Sequence, residues 1–216
     1  MILPQSIDTE LEIPIGRFTL KGRFCLPDTA RGIVLFSHGS GSSRNSPRNN
    51  YVAKVLQQQH LGTLLFDLLT ESEDTYYENR FNIGMLTRRL ISVTDWVLVY
   101  SFPHKLPIGY FGASTGAASA LRAAAHFKEQ IAAVVCRGGR PDMAMEDIPL
   151  VTAPTLFLVG SRDTQVIEFN QKAQEAMQAP SRLKLVNGAS HLFEEPGKLQ
   201  EVADLSAGWF STHFQK

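Results

Sequence analysis

The stretch GYFGASTGAA, residues 109–118, decides the fold because an apolar run leads into a serine that has a glycine two residues to either side. The run predicts a buried strand, and the alanine-rich stretch that begins at Thr115 predicts a helix. A strand that turns directly into a helix bends very tightly. The residue at the bend is pushed towards strained backbone angles, and its neighbours two residues away must be small. Gly112 and Gly116 meet that demand, so we expect Ser114 at the carboxyl end of a buried strand.

Apolar runs and amphipathic stretches alternate over most of the chain. The strand-like runs are continuously apolar, which is typical of parallel strands covered by helices on both faces. Their order predicts an α/β fold, a doubly wound and mostly parallel sheet with right-handed crossovers. We predict strands at residues 32–38, 62–69, 107–112, 131–136, 154–160 and 182–187, and helices near residues 50–60, 83–99, 115–127, 166–177 and 198–210. In the first helix we expect Tyr51, Val55 and Leu56 to share one side.

The opening segment differs from the rest. Residues 11–27 alternate apolar and polar side chains and carry a glycine near their middle, which predicts an antiparallel hairpin on one edge of the sheet. The chain shows no linker, repeat or low-complexity tract, so we expect a single domain over residues 1–216.

A serine hydroxyl is a poor nucleophile unless a base takes its proton and a third group orients that base. In a strand–turn–helix arrangement of this kind, the expected order along the chain is serine, acid, histidine. Only His191 follows a strand after Ser114 and opens a loop before the last helix, so we predict His191 as the base. The other histidines lie in or near helices or, for His38, at the end of the first buried strand: His38, His60, His104, His126 and His213.

Two aspartates compete for the orienting role. Asp163 lies in a short loop after the fifth strand, just before the helix and strand that lead to His191, and we predict it as the acid. A helix N-cap is the structural alternative for an aspartate in this place. Asp142, after the fourth strand, remains the other candidate.

The first buried strand leads into SHGSGSSRNSPRN, residues 37–49, whose glycines allow backbone N–H groups to approach an oxyanion. We predict the N–H groups of Thr115 and Ser40 as the two donors, with Gly41 as the alternative to Ser40. We expect the ring of His38 to hold this loop through hydrogen bonds. A phosphate-binding loop is the rival interpretation, but neither G-x-x-x-x-G-K-[ST] nor G-x-G-x-x-G is present.

Composition narrows the class of protein. Lys and Arg total 21, as do Asp and Glu, so the zero formal charge gives no support for a nucleic-acid or polybasic membrane partner. Of two cysteines, Cys136 ends an apolar run and is expected to be a buried, reduced thiol. The opening MILPQSIDTELE has neither a basic region nor a continuous apolar run, so we predict no signal peptide and a cytoplasmic location.

Four stretches, HGSG (38–41), FGASTG (111–116), VGSRD (159–163) and GASHLF (188–193), carry a family resemblance. In this order and on these elements, they make the chain resemble the α/β-hydrolase superfamily over nearly its whole length. It looks most like small dienelactone hydrolase-related proteins, through FCLPD (24–28), FDLLT (66–70) and the lack of a cap insertion. That family uses a cysteine where this chain has Ser114, so its particular lactone is not carried over. The resemblance implies hydrolysis of a carboxylic ester or lactone through an acyl-serine, with no metal or organic cofactor.

The brief segment between Cys136 and Pro154 predicts an open site that suits a small soluble substrate. Four arginines fall in loops at the carboxyl ends of strands, and two that converge would bind a substrate carboxylate, with Arg44 and Arg137 as the candidates. The alternative is that they pair with local acids or helix ends. The full set is Arg44, Arg48, Arg137 and Arg140.

The sequence leaves three rival functions open. A peptidase or amidase would use the same triad, and a hydrolase-like binding module would keep the fold without activity. An interaction protein would act through its outer surface, but Trp96 and Trp209 have core-like spacing and give no hint of an exposed aromatic patch.

Overall fold

A computed structural model describes residues 6–99 and 106–214. These residues form one eight-stranded sheet in the order β1-β2-β4-β3-β5-β6-β7-β8. Strands β3 to β8 run parallel to one another, whereas β1 pairs antiparallel with β2 and β2 pairs antiparallel with β4. The strands are β1 Ile7–Ile15, β2 Phe18–Leu26, β3 Ile33–Ser37, β4 Gly62–Phe66, β5 Ile108–Ala113, β6 Ile131–Arg137, β7 Thr155–Gly160 and β8 Ser181–Val186. The predicted α/β sheet and its antiparallel edge hairpin are confirmed.

Helices cover both faces of this sheet. The bounds are α1 Pro47–Gln58, α2 Glu71–Asp74, α3 Ile83–Val99, α4 Thr115–Phe127, α5 Thr164–Ala176 and α6 Lys198–His213. Helices α1 and α6 pack on one face, and α3, α4 and α5 pack on the other. Continuous burial of β3, β4, β5 and β7 explains why these strands read as unbroken apolar runs. The last strand, β8, lies at the sheet edge and is only partly buried.

The prediction that Tyr51, Val55 and Leu56 share one side of α1 was wrong in part, because only Leu56 among them is buried. The buried residues are Asn49, Val52, Ala53 and Leu56, whereas Tyr51 is 42% exposed. The helix begins three residues earlier than predicted, at Pro47, because the Ser46 side chain accepts a hydrogen bond from the Asn49 N–H and caps it.

The order of the strands determines where a crevice opens at the edge of the sheet. The chain passes from β3 outwards to β4 and then returns to β5 on the other side of β3, so β3 and β5 are neighbours whose connections leave in opposite directions. Such a reversal opens a crevice at the carboxyl ends of the strands. The loop after β3 and the bend after β5 both lie there. In the part of the chain that the structure describes, no helix is long and apolar enough to cross a membrane.

Candidate active site

Ser114 occupies a sharp bend between β5 and α4. Its backbone angles are φ 51° and ψ −121°, a region that non-glycine residues rarely adopt and that costs about 1–3 kcal/mol. The two glycines explain how the bend is built. A Cβ on Gly112 would lie 2.5 Å from the Ala117 Cα, and one on Gly116 would lie 2.1 Å from the Ser37 carbonyl oxygen. Both positions therefore exclude any side chain, and the strain at Ser114 is held by close backbone packing.

Asp163 and His191 meet at the carboxyl ends of β7 and β8. The distance between His191 Nδ1 and Asp163 Oδ2 is 2.6 Å. The Asp163 side chain is 17% exposed and that of His191 is 39% exposed. With Nδ1 held by the carboxylate, the other ring nitrogen, Nε2, is left for a reacting group. Asp142, the alternative acid, instead forms a two-point ion pair with Arg140 at 2.8 and 2.7 Å.

The loop after β6 connects the bend to the histidine. The Ser114 N–H donates to the Arg137 carbonyl, and the Ser114 carbonyl accepts from the Arg140 N–H. Between them, Gly138 has a φ of +52°, and a Cβ there would lie 3.4 Å from the His191 ring. Among the described residues, no hydrogen bond joins the Ser114 hydroxyl to His191. Such bonds often form or tighten only when substrate binds, so the absence of this bond does not argue against a catalytic pair.

Two glycines, Gly138 and Gly160, support the histidine loop. A Cβ on Gly160 would lie 2.4 Å from the Ala189 carbonyl oxygen and 2.5 Å from that of Ser190. This close approach brings the ends of β7 and β8 together. Gly138 was missed, although its place in the pair at residues 138–139 after an apolar run is a signal for tight backbone packing.

The loop after β3 lies directly against the Ser114 bend. A Cβ on Gly39 would lie 3.1 Å from the Ser114 Cβ. Ser40 follows, and its N–H donates to the Thr115 hydroxyl oxygen at 2.9 Å. Thr115 is the first residue of α4, where backbone N–H groups have no partner within the helix. The structure thus brings both predicted donor residues to one place, while the Ser40 N–H is already engaged. Gly41, the alternative, has a φ of +67°.

His38 holds the base of this loop, as expected. Its Nε2 accepts a hydrogen bond from the Leu68 N–H at 3.0 Å, so the proton lies on Nδ1, which donates to the Gly39 carbonyl at 3.0 Å. Burial lowers the pKa of His38, and the charge of Asp67 opposes this shift only in part. The neutral ring is therefore a fixed connector between the ends of β3 and β4.

The four arginines do not all gather at one point, although Arg48 lies near enough to Arg137 for its charge to act on that guanidinium. Arg44 pairs with Asp67 at 2.5 Å and with Glu10 at 3.5 Å. The other three differ among themselves: Arg48 pairs with Glu194 and Arg140 with Asp142, whereas Arg137 pairs with no acid in the described part of the chain.

Arg137 is buried, at 7% exposure, and its Nε and Nη1 have no hydrogen-bond partner among the described residues. Burial, followed by the nearby charge of Arg48, lowers the pKa of Arg137 to about 10.

One neighbouring segment was not predicted. After β4 the chain forms α2 and a short 3-10 helix, Tyr77–Phe81. Arg80 from this segment pairs with Asp74 at 2.9 Å and borders the same small cavity as Ser40. The capping box of Thr70 and Glu73 was a readable signal for α2. The spacing of the two tryptophans gave no hint of an exposed aromatic patch, but this segment exposes three aromatic side chains: Tyr76, Tyr77 and Phe81.

His60 and His126 lie away from the bend, His213 closes α6, and His104 lies outside the described residues. In residues 6–99 and 106–214, no three of the side chains that commonly bind metals are grouped to hold an ion. Cys136 is fully buried and unpaired, and burial raises the pKa of its thiol.

Over 210 residues the chain is 50% identical to a Mycobacterium tuberculosis protein named "Putative phosphoribosyl transferase", found in strains CDC 1551 and H37Rv. The match covers 97% of this chain and 47% of the relative. The chain therefore spans about half the length of the curated relatives it matches.

Solved structures agree on the architecture. A dienelactone hydrolase from Anabaena variabilis superposes with a TM-score of 0.91 at 49% identity, covering 97% of this chain and 99% of that one. Est1E from Butyrivibrio proteoclasticus gives a TM-score of 0.82 at 14% identity, covering 96% of this chain and 99% of that one, and shows the shared fold alone.

The sequence pattern of the dienelactone hydrolase family matches residues 86–209, more than half of the chain. That range contains the bend at Ser114 and both members of the Asp163–His191 pair. The chain therefore belongs to the dienelactone hydrolase family.

Proposed function

We propose that this chain is a serine hydrolase that cleaves a carboxylic ester or lactone of a small molecule. The observation that carries the proposal is the 2.6 Å hydrogen bond between His191 and Asp163 at the edge where the strained Ser114 bend lies. A nucleophile on a tight bend, a base and an orienting acid are the three parts that acyl transfer requires.

The proposed reaction has two halves. The Ser114 oxygen attacks the carbonyl carbon while His191 Nε2 takes the hydroxyl proton, and Asp163 stabilises the imidazolium that forms. The tetrahedral oxyanion collapses, the alcohol leaves with the proton from His191, and an acyl-serine remains. A water molecule, deprotonated by His191, then attacks this ester and releases the acid together with free Ser114.

The Thr115 N–H is the first donor for the oxyanion, because it opens α4, where the positive end of the helix dipole also favours negative charge. The Ser40 N–H, from the loop after β3, is the other candidate, and it is bonded to the Thr115 hydroxyl at 2.9 Å. Because Ser114 is partly exposed and the His191 side chain is 39% exposed, a small substrate fits this site better than one that needs a deep tunnel.

A carboxylate on the substrate remains a narrower proposal, carried by Arg137 alone. Its buried guanidinium has two nitrogens without partners in the described residues, which an anionic group would satisfy. Arg44 is a weaker candidate because Asp67 and Glu10 already neutralise it. The single-domain extent over residues 1–216 and the cytoplasmic location also stay predictions.

Phosphoribosyl transfer is not carried over from the curated relatives. Their name describes a protein of about twice this length, and the chain covers 47% of it. The Asp163–His191 pair beside a strained serine supports acyl transfer instead.

The test is a matched set of substrates. We would compare p-nitrophenyl acetate, p-nitroacetanilide and dihydrocoumarin, which present ester, amide and lactone bonds. Ester or lactone turnover should dominate, and S114A should lower kcat by about 10⁴-fold or more. S206A, which removes a buried hydroxyl of α6 bonded to the Val202 carbonyl, is the matched control and should keep the turnover.

Two results would favour the rival functions. Preferred cleavage of the amide would indicate a peptidase or amidase on the same triad. A folded protein that hydrolyses none of the three substrates would indicate a binding module.

A further inference from the structure

The Thr115 hydroxyl has an unusual place among the helix hydroxyls of this chain. Serine and threonine in helices commonly donate to the carbonyl four residues earlier. Thr115 does not, because its residue four positions earlier, Phe111, lies in β5. Three described helix hydroxyls do make this bond, at 2.7–2.9 Å: Thr94 to Leu90, Ser206 to Val202 and Thr212 to Gly208.

The Thr115 oxygen is used as an acceptor while its proton is not donated. It accepts the Ser40 N–H at 2.9 Å, and its own proton has no acceptor among the described residues. Thr115 is only 2% exposed, so bulk water does not freely solvate the group. A buried hydroxyl keeps one donor available when it accepts a hydrogen bond. The free donor belongs to the residue directly after Ser114.

We propose that the Thr115 hydroxyl donates to the oxyanion and that Ser40 acts through it. The inference rests on the proposed hydrolase function and deepens it. The oxyanion receives two hydrogen bonds from one residue, from the Thr115 N–H and from the Thr115 hydroxyl. The Ser40 N–H polarises that hydroxyl and makes it a stronger donor. No proton is transferred in this step, so the reaction keeps the balance given above.

This arrangement and direct donation by the Ser40 N–H predict different effects on the rate when the Thr115 hydroxyl is removed. If the Ser40 N–H itself binds the oxyanion, the Thr115 hydroxyl is a competitor that must be displaced, and its removal should leave or raise the rate. If the hydroxyl is the donor, its removal takes away one oxyanion contact and lowers the rate. A single substitution therefore separates the two.

The experiment compares T115V, which keeps the shape of the side chain without the hydroxyl, with T115S, which keeps the hydroxyl. On p-nitrophenyl acetate we expect T115V to lower kcat by about 10²–10³-fold, the usual effect of removing one oxyanion donor, with little change in KM. The inhibition constant of phenylboronic acid, whose tetrahedral serine adduct mimics the intermediate, should rise with it. T115S should restore most of the lost kcat.

The controls separate the loss of the Thr115 hydroxyl from a general loss of folding or stability. T155V removes another buried threonine hydroxyl, at the start of β7 and away from the carboxyl edge, and should keep kcat. Should T115V fail to fold, as judged by circular dichroism, T115A carries the same expectation. A T115V or T115A enzyme with wild-type or higher kcat overturns the inference and leaves the hydrolase function standing. A wild-type protein that neither hydrolyses esters nor reacts with a fluorophosphonate at Ser114 overturns both.

Discussion

Replacing Gly116 with alanine would place a methyl group where backbone atoms already lie. A Cβ on Gly116 would lie 2.1 Å from the Ser37 carbonyl oxygen and 2.6 Å from the His38 carbonyl oxygen. Neither oxygen belongs to a flexible side chain, so α4 and the end of β3 must separate by about 1 Å to admit the methyl group. The separation acts on both walls of the site, because α4 carries Thr115 and the loop after β3 carries Ser40.

The expected loss has two parts. Overpacking of this kind costs about 1–3 kcal/mol of unfolding free energy. For a chain of this size each kcal/mol lowers Tm by about 2–4 °C. A displacement of about 1 Å between the reacting groups lowers kcat by about 10²-fold. We therefore expect G116A to lose both thermal stability and ester turnover.

Gly208 supplies the matched control. It lies in α6, and a Cβ there meets nothing within 4 Å. The same substitution should raise stability by about 0.5–1 kcal/mol, because alanine is the better helix former, and should leave kcat unchanged. Thermal unfolding and p-nitrophenyl acetate turnover would be measured on both variants. A G116A protein as stable and as active as the wild type would refute the packing argument.

Three further predictions follow from named contacts. D163N should lower kcat by about 10³–10⁴-fold with the fold intact, because the His191 ring loses its orienting carboxylate; near-wild-type kcat would remove Asp163 from the proposed triad. Burial lowers the pKa of His38 below its ordinary 6.5. The contribution of the neutral ring to the free energy of unfolding is therefore fully present above pH 6.5 and declines at lower pH. That decline is at most about 1.4 kcal/mol per pH unit, and Tm profiles of wild type and H38Q that run parallel would count against it. A thiol reagent should label Cys25 and spare Cys136 until the protein is denatured, and equal labelling of both in the native state would contradict the burial described.

Much of the fold could be predicted from the sequence because the patterns that determine it are local. The bounds of α3 and α4 matched their predicted ranges, since apolar spacing and the tight bend before Thr115 leave little freedom. The three candidate catalytic residues could be predicted from the sequence for a related reason. Ser114, Asp163 and His191 each follow a strand, and parallel strands bring their carboxyl ends to one edge.

What escaped the sequence depends on contacts between distant segments. Nothing local indicates that Arg44 would meet Asp67, or that the Ser40 N–H would find the Thr115 hydroxyl 75 residues away. The start of α1 was also misjudged, because it depends on the cap at Ser46 rather than on its apolar spacing.

The most direct test of the account is the reaction of the native protein with a fluorophosphonate probe, followed by intact mass and peptide mapping. The account predicts one label per chain on Ser114, lost in S114A together with ester turnover and much slower in H191A, because the serine then lacks its base. No label on a protein shown to be folded, or a label on another residue that persists in S114A, would contradict the central claim that Ser114 is an activated nucleophile.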